Sequence, residues 1–367
     1  MKINCLTQNI KDAVQIAERN TAKNQTMPIL NTIFIGADGG KIKIKATNLE
    51  TAVEITISGK VEENGNIAVP AKTLSMFLSN ISDNQITLES KKDNLFIKTG
   101  KNQTLIKGLS SEDFPLLPKV EEIESFKIPS GELKASISGV VTAASLSDLK
   151  PELGSILFKV FKNTIKLAAT DSFRLAEYTL VSKNISSEKL LTFLIPQRSI
   201  HEILKLIDND ESIKFGFSKN QLIVSVNNIR FISRLTDGVF PDYEQIIPKN
   251  FKITIIAKKS DVVSNLKLAS VFVGKLNDIN ITFSGSKKSL VLQASNQDTG
   301  EYSSEIPAGG EGDDVSVKFN VRYLLDGIMQ INQEYIVFNL NGSESPLLIK
   351  GKGDSSCFYL VMPMRGA

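Results

Sequence analysis

Three segments of this 367-residue chain resemble one another at a spacing near 125 residues. Each segment combines alanine, a hydroxyl side chain and further polar residues, and successive members begin 123 and 125 residues apart. The members are Ala46–Glu50, Ala169–Phe173 and Ala294–Asp298. A repeat of this length matches a whole domain and is far longer than a solenoid unit. The sequence therefore predicts three tandem domains of one design.

Two further sets of markers agree with this period. Residues typical of a helix start recur 126 and 124 residues apart, at Pro70, Pro196 and Asn320. Apolar residues at helical spacing recur 123 and 126 residues apart, at Val14, Ile137 and Val263. The two sets predict two helices in each domain.

The remaining sequence alternates between apolar and polar residues, as strands do. The alternating runs include 41–45, 163–167, 222–226 and 335–340. Helical stretches are expected at 8–24, 70–81, 131–150, 196–208, 258–275 and 320–331. The predicted fold class is α+β, with three similar domains at 1–124, 125–250 and 251–367. An arc of similar domains can close into a ring through a head-to-tail contact.

Composition excludes several classes of protein. Cys5 and Cys357 lack metal-binding or disulfide spacing, so reduced thiols and no metal site are expected. The N-terminus lacks the apolar core of a signal peptide, and no apolar run approaches a membrane span, which predicts a cytoplasmic protein without a membrane partner. The single histidine, His201, falls in a predicted surface helix, so a catalytic role is not expected. No cofactor is expected.

Positive charge is concentrated in the predicted helices. The chain carries a net charge of +3, yet the six helical stretches hold 13 basic and 8 acidic residues, and the rest of the chain is net acidic. A solvated helix face and a surface for phosphates both fit this pattern. Base-reading motifs are missing, so sequence-independent contact with the DNA backbone is the favoured nucleic-acid role.

A catalytic alternative comes from three short motifs of penicillin-binding serine enzymes. They are Ser82-Asp83-Asn84, Lys98-Thr99-Gly100 and Ser147 with Lys150. They occur in the wrong order, because the nucleophile motif should come first. Motifs of this length also arise by chance, so the chain is not expected to be an enzyme.

Three longer motifs carry a resemblance to a known family. They are the segments 169–176, ATDSFRLA; 240–243, FPDY, with Ile247-Pro248; and 359–365, YLVMPMR. Together they closely resemble the β subunit of bacterial DNA polymerase III, the sliding clamp, over the whole chain. The resemblance implies a non-catalytic homodimeric ring of six domains, with helices lining the inside and β-sheets outside. It encircles duplex DNA and gives polymerases processivity.

The resemblance also implies one peptide-binding pocket per subunit, which would receive the polymerase III α subunit, the clamp loader and other polymerases or repair proteins. Its residues by position are Leu153, Thr170, Ser172, Phe173, Arg174, Leu175, Pro241, Ile246, Pro346, Leu360, Met362, Pro363, Met364 and Arg365. Arg174 and Arg365 would hold peptide polar groups at the rim. Ser172-Phe173 stands where many members have Gly-His, and Gln245 stands where some have arginine.

Two further residue sets follow from the resemblance. The residues expected to contact DNA are Lys23, Asn24, Lys72, Ser147, Lys150 and Arg198. The residues expected at the dimer interface are Lys101, Thr104 and Ile106 of one chain and Val271, Phe272 and Glu301 of the other. A peptide-binding scaffold that never closes into a ring remains the alternative function.

Overall fold

The computed structural model describes residues 1–23, 26–118, 124–147, 149–185, 187–207, 212–218 and 220–364. Within them the α-helices are α1 (Thr7–Glu18), α2 (Ala71–Ser79), α3 (Ser130–Val141), α4 (Gln197–Leu206), α5 (Lys259–Ala269) and α6 (Val321–Met329). All six predicted helical stretches are confirmed, with shorter bounds. No helix in these ranges is both long and apolar enough to span a membrane.

The strands carry most of the chain. They are β1 (Lys2–Leu6), β2 (Thr32–Asp38), β3 (Lys41–Thr47), β4 (Thr51–Ile57), β5 (Gly59–Glu63), β6 (Gly65–Pro70), β7 (Gln85–Lys91), β8 (Asn94–Lys98), β9 (Gln103–Lys107), β10 (Glu124–Pro129), β11 (Ser155–Lys162), β12 (Thr164–Thr170), β13 (Arg174–Val181), β14 (Ser187–Pro196), β15 (Ser212–Phe217), β16 (Gln221–Val226), β17 (Ile229–Arg234), β18 (Ile253–Lys258), β19 (Asp278–Ser284), β20 (Ser289–Asn296), β21 (Gly300–Glu311), β22 (Val315–Asn320), β23 (Tyr335–Leu340), β24 (Leu347–Gly351) and β25 (Cys357–Val361). The four alternating runs lie on strands, apart from Asn163, which precedes β12, so their period-two pattern indicated the correct structure.

The prediction for α3 was too long by about two turns. The helix ends at Val141, and Ser145 donates its backbone N–H to the carbonyl of Leu153 at 2.9 Å. Leu146 and Leu149, which lie between the two residues of that hydrogen bond, are exposed. The two leucines continue the apolar spacing of α3 in the sequence, although they lie beyond the end of the helix. The spacing therefore predicted a helix that was too long.

The chain packs as two compact units. Unit 1 contains 1–130 and 201–235, and unit 2 contains 131–200 and 236–367. The predicted central domain, 125–250, therefore contributes to both units. The three domain boundaries remain a prediction.

Unit 1 contains two sheets within the described residues. The first runs in the order β5-β1-β7-β8-β9, and the second runs β10-β15-β16-β17-β4-β3-β2-β6. Helix α1 packs on β3 and β4 through Ile10, Val14 and Ala17, which are buried among the strand residues of the core. The apolar stripe of α1 therefore supplies the buried face that its 3.6-residue period predicted.

Unit 2 contains one long sheet in the part of the chain that is described. Its order is β14-β11-β12-β13-β25-β24-β23-β18-β21-β20-β19-β22. Helix α6 packs against β25, where Gly327 lies directly on the ring of Tyr359. A side chain at position 327 would overlap that ring, so glycine is needed for this close approach.

Candidate functional site

The motif at 169–176 forms a tight turn between β12 and β13. The Thr170 hydroxyl accepts the N–H of Ser172 at 3.1 Å and donates to the carbonyl of Arg174 at 2.6 Å. Asp171 Oδ1 accepts the N–H groups of Phe173 and Arg174 at 2.9 and 3.0 Å. Ser172 has a φ of 77°, which L residues rarely adopt outside such turns. Short hydroxyl and carboxylate side chains therefore build this turn.

The same chemistry recurs in unit 1. Thr47 accepts the N–H of Leu49 at 3.0 Å and donates to the carbonyl of Thr51 at 2.8 Å. Leu49 has a φ of 75°, close to the value at Ser172. The repeated sequence marker thus encodes a repeated turn.

Arg174 ties the turn to α6 and β25. Its guanidinium donates to Asp171 at 2.9 Å, to Asp326 at 2.5 Å and to the Tyr359 hydroxyl at 3.4 Å. The Tyr323 ring lies 4.3 Å from the guanidinium carbon. Burial alone would lower the pKa of Arg174, but these partners raise it above its usual value.

Arg174 is only 9% exposed, and its Nε and Nη1 atoms donate to protein groups that hold the Phe173 turn. Its contact with a peptide stays a prediction. Sequence reasoning missed Asp326 and Tyr323, because they lie about 150 residues away along the chain. The amphipathic pattern of α6 was the one sequence signal that bears on these two residues. It predicts a helix but does not identify Arg174 as their partner.

The residues after β25 are held at both ends. Met362 donates its N–H to the carbonyl of Phe173 at 2.8 Å, and Met364 donates to the carbonyl of Lys318 at 2.8 Å. Neither methionine is buried in the core, since Met362 is 38% exposed and Met364 is half-buried. Arg365 lies outside the described residues.

The segment after residue 239 covers the β13–β25 pairing. Phe240 and Tyr243 pack with Leu175 and Leu360 in one buried cluster. Tyr243 donates its hydroxyl to Glu177 at 2.5 Å, and burial together with that hydrogen bond raises the tyrosine pKa well above its usual range. The segment is thereby fixed beside the Phe173 turn.

The predicted pocket residues divide by burial. The buried side chains are those of Leu153, Thr170, Leu175 and Leu360. The exposed or half-buried side chains, called the rim below, are those of Ser172, Phe173, Pro241, Ile246, Pro346, Met362, Pro363 and Met364. Phe173 is 61% exposed and Ile246 is 52% exposed, so the rim presents large apolar side chains to solvent. Such a surface is typical of an interaction site.

Unit 1 has the same backbone arrangement with different side chains. Arg234 donates its N–H to the carbonyl of Glu50 at 2.9 Å, as Met362 does to Phe173. The side chains of Arg234 and Glu50 form an exposed ion pair at 3.4 Å. Because the fold accepts a charged pair here, the apolar side chains in unit 2 are not required for folding.

The residues expected to contact DNA are exposed where they are described. In unit 1, Lys23 follows α1 and Lys72 lies in the first turn of α2. In unit 2, Ser147 and Lys150 lie after α3, and Arg198 lies in the first turn of α4. Asn24 lies outside the described residues. Their contact with DNA stays a prediction.

The residues expected at the dimer interface lie at two strand edges and one helix end. Lys101 precedes β9, and Thr104 and Ile106 lie on it; Val271 and Phe272 follow α5, and Glu301 lies on β21. Ile106 is buried in the core of unit 1, so only its backbone is available to another chain. Phe272 stacks on Tyr302 with ring centres 5.9 Å apart.

Within the described ranges no group of three His, Cys, Asp or Glu side chains converges as a metal site would require. Burial raises the pKa of Cys5 and of Cys357 to about 12. Thr99 donates to Asp83 at 2.7 Å, so the Ser-Asp-Asn and Lys-Thr-Gly motifs meet in a turn of unit 1.

The architecture defines a class of protein. The last strand of one repeat, β17 or β25, completes the sheet of the repeat before it by pairing with β4 or β13. Tandem repeats joined in this way form the DNA clamp fold.

The comparisons with known proteins identify the family. Models of the N-terminal, central and C-terminal domains of the DNA polymerase III beta subunit match residues 1–118, 127–242 and 244–365. The chain belongs to this family. Its members are DNA sliding clamps, which are processivity factors and not catalysts.

Relatives are similar over their full length. A beta sliding clamp of Synechocystis is 27% identical, with 100% of this chain and 99% of the relative covered. The sliding clamp of Bacillus subtilis has a TM-score of 0.96 at 25% identity, and the beta subunit of Thermotoga maritima has 0.92 at 26%, both with full coverage of each chain.

Proposed function

We propose that this sliding clamp closes with a second copy of itself into a ring around duplex DNA in the cytoplasm. The apolar rim of unit 2 then binds short peptide segments of the polymerase III α subunit, the clamp loader and other replication or repair proteins. The observation that carries the proposal is the repeated strand pairing between successive repeats. Two further strand edges, on β9 and at the start of β21, have no such neighbour among the described residues.

The two pairings within the chain share one register. Ile232 lies opposite Ala52 in the first, and Leu360 lies opposite Leu175 in the second. Both pairs are buried on the sheet face that faces away from the helices. The third pairing is the one proposed between two chains. Its register follows once the residues equivalent to these two pairs are identified.

One backbone hydrogen bond marks the equivalent point of each repeat. Leu109, Thr236 and Met364 each donate to an edge strand, at Ala68, Leu194 and Lys318, over 2.8, 2.9 and 2.8 Å. The residues four positions earlier are Leu105, Ile232 and Leu360. Leu105 on β9 is thus the counterpart of the two buried residues, and it is 45% exposed.

The matching edge lies at the start of β21. Thr47 pairs with Ala52, Thr170 with Leu175 and Ser295 with Glu301, so Glu301 is the third counterpart. Within the described part of unit 2, β21 pairs with β18 only over Ala308–Glu311, which leaves the edge at Glu301 open. We therefore place Leu105 of one chain opposite Glu301 of the other.

The neighbourhood of Glu301 supports an interface. Val271, Leu268 and Leu276, at and just beyond the end of α5, are large apolar side chains that are more than half exposed. Phe272 and Tyr302 stack beside them. An apolar cluster next to an open strand edge suits the burial of a second chain.

The DNA contact should be loose. The cations expected to face DNA are single exposed lysine and arginine side chains, without a base-reading element. Contacts of this kind are made to phosphates and carry no sequence information, so they permit sliding. Retention on DNA would come from the closed ring and not from adhesion.

The rim of unit 2 suits apolar peptide segments. Met362 and Met364 are flexible and polarizable, so they can adapt to several partners. Phe173 and Ile246 offer large apolar surfaces beside them. Since the Arg174 guanidinium is engaged by Asp171 and Asp326, affinity should come mainly from apolar contact.

Fluorescence polarization of a labelled Gln-Leu-x-Leu-Phe peptide tests the pocket. We expect saturable binding of about one peptide per chain, weakened by Met364→Ala with the dimer intact. Absence of binding at roughly millimolar protein, where even ~4 kcal/mol of affinity is detectable, would contradict the peptide site. If the Met364→Ala protein became monomeric, we would conclude that Met364 stabilises the fold and does not bind peptide.

A further inference from the structure

A cross-strand row in unit 1 is rich in cations. From β10 to β6, directly opposed residues read Lys127, Lys214, Ser225, Arg230, Glu54, Lys45, Phe34 and Ala68. Four of these eight side chains are cations and one is a carboxylate. Neighbours along the strands, such as Ile128 and Phe231, are fully buried, so the row lies on the opposite face of the sheet.

Cations outnumber carboxylates among the described residues of this row. Lys127 and Lys214 lie directly opposite each other. Glu54 is already engaged by Lys43 at 3.1 Å and by Lys45 at 3.2 Å. Burial alone would raise the pKa of Glu54, but the two lysines lower it below its usual value, so the carboxylate stays charged.

Two of the cations have no carboxylate of their own. Arg230 lies opposite Glu54 but forms no ion pair within the described residues, and the same holds for the exposed Lys127. Lys41 and Lys43 continue the positive charge along β3 on the same face. The acidic residues Asp208, Asp210 and Glu211 precede β15 in sequence and lie outside the described residues.

The row has the length of a macromolecular contact. Five strand intervals separate β10 from β3, and neighbouring strands lie about 4.8 Å apart, so the row from Lys127 to Lys45 spans roughly 24 Å. One DNA strand advances about 3.4 Å per phosphate, so this length matches about seven phosphates.

We propose that this cationic row, defined by Lys127, Lys214, Arg230 and Lys45, binds the phosphate backbone of a nucleic acid without regard to sequence. This surface is separate from the residues expected to contact DNA, which lie in the first turns of helices or after helix ends. It lies on the opposite face of the sheet from the core that α1 covers, so it binds nucleic acid that does not pass through the ring. The inference does not depend on the peptide site, and its plasmid test rests on the closed ring proposed above.

The chemistry of the row favours phosphates over an acidic peptide. Docked peptides need apolar anchors in addition to charge. Between Lys127 and Lys45 the row holds Ser225 and charged side chains, and no apolar residue. Phosphate contacts use lysine, arginine and hydroxyl groups, which are the groups present here.

A closed plasmid without clamp loader is the probe, because a covalent circle cannot thread a closed ring. The variant carries Lys45→Gln, Lys127→Gln and Arg230→Gln. We expect the wild-type protein to bind the plasmid at about 50 mM salt, and the variant to bind at least tenfold more weakly. Each lost phosphate contact should also reduce the slope of log affinity against log salt by about 0.9.

A matched variant controls for net charge. Lys183→Gln, Lys189→Gln and Lys288→Gln remove the same three charges from exposed positions of unit 2, and this protein should bind the plasmid as the wild type does. Equal loss in both variants would overturn the proposal, because net charge would then explain binding. Failure of the wild type to bind the plasmid while it binds poly-glutamate would also overturn it and would assign the row to an acidic protein. A cooperative denaturant unfolding transition at the wild-type midpoint confirms that each variant is folded.

Discussion

Met362 donates its backbone N–H to the carbonyl oxygen of Phe173, and the two atoms lie 2.8 Å apart. The equivalent hydrogen bond in unit 1 joins Arg234 to Glu50 at 2.9 Å. One backbone frame thus carries an apolar pair in one place and an ion pair in the other. The difference lies in side chains that the frame does not need, which points to binding.

Phe173 should contribute directly to peptide affinity. Replacement by serine removes an exposed ring, so folding stability should change little. Burial of an aromatic ring is worth about 1.5–3 kcal/mol, so peptide affinity should fall roughly tenfold to a hundredfold. Titration by fluorescence polarization measures this. Glu50→Ser is the matched control and should bind peptide normally; equal loss in both variants would exclude a local role for Phe173.

Gly327 should be intolerant of a side chain. A Cβ atom there would overlap the Tyr359 ring, which is buried and holds Arg174. Gly327→Ala should therefore lower the free energy of unfolding by about 1–3 kcal/mol, as overpacking does. Denaturant unfolding measures the change. Gly131→Ala in α3 meets no atom within 4 Å and should be neutral or slightly stabilising. A neutral Gly327→Ala would show that α6 can move away from Tyr359.

Leu105 should control ring closure. It is exposed in the single chain, so Leu105→Glu should fold normally, but it would place a carboxylate opposite Glu301 of the partner. We expect the variant to have the mass of one 40.2 kDa chain in light scattering, where the wild type has twice that mass. Leu190→Glu changes another exposed leucine and should stay dimeric. A dimeric Leu105→Glu protein would refute the proposed register.

The two buried thiols should make stability depend on pH in the alkaline range. An unfolded thiol deprotonates near pH 9, whereas the folded pKa of each is about 12. Between these values the unfolded chain binds fewer protons, so stability falls as pH rises, by up to about 1.4 kcal/mol per thiol per pH unit. Below about pH 9 the thiols should have no effect. Unfolding of the wild type and of a Cys5→Ala, Cys357→Ala variant at pH 8 and pH 11 measures this; an equal alkaline loss in both would contradict it.

Local sequence signals predicted the repeated elements well. The hydroxyl residues Thr47 and Thr170 mark turns because their hydrogen bonds reach only neighbouring residues. Helix starts at Pro70 and Asn320 were predictable for the same reason, since Asn320 caps the N–H groups of Arg322 and Tyr323. Chemistry confined to a few residues can be read from the sequence.

Long-range partners were not predictable from local patterns. The engagement of Arg174 by Asp326 depends on how α6 packs on β25, and no local pattern reports that. The burial of Ile106 follows from which face of β9 meets the core. The residues of the proposed peptide site were assigned from the family resemblance. Local sequence could not identify them, because an exposed apolar rim and a buried strand end have the same composition.

Retention on circular DNA tests the central claim most directly. The protein is loaded onto a nicked plasmid by the clamp loader of its own source, challenged with about 0.5 M salt to weaken phosphate contacts, and then the plasmid is cut once. A ring that encircles DNA should stay on the uncut circle and leave soon after cutting, since only the ends then allow escape. Equal loss from cut and uncut plasmid would show that adhesion holds the protein, and would contradict the sliding-clamp account.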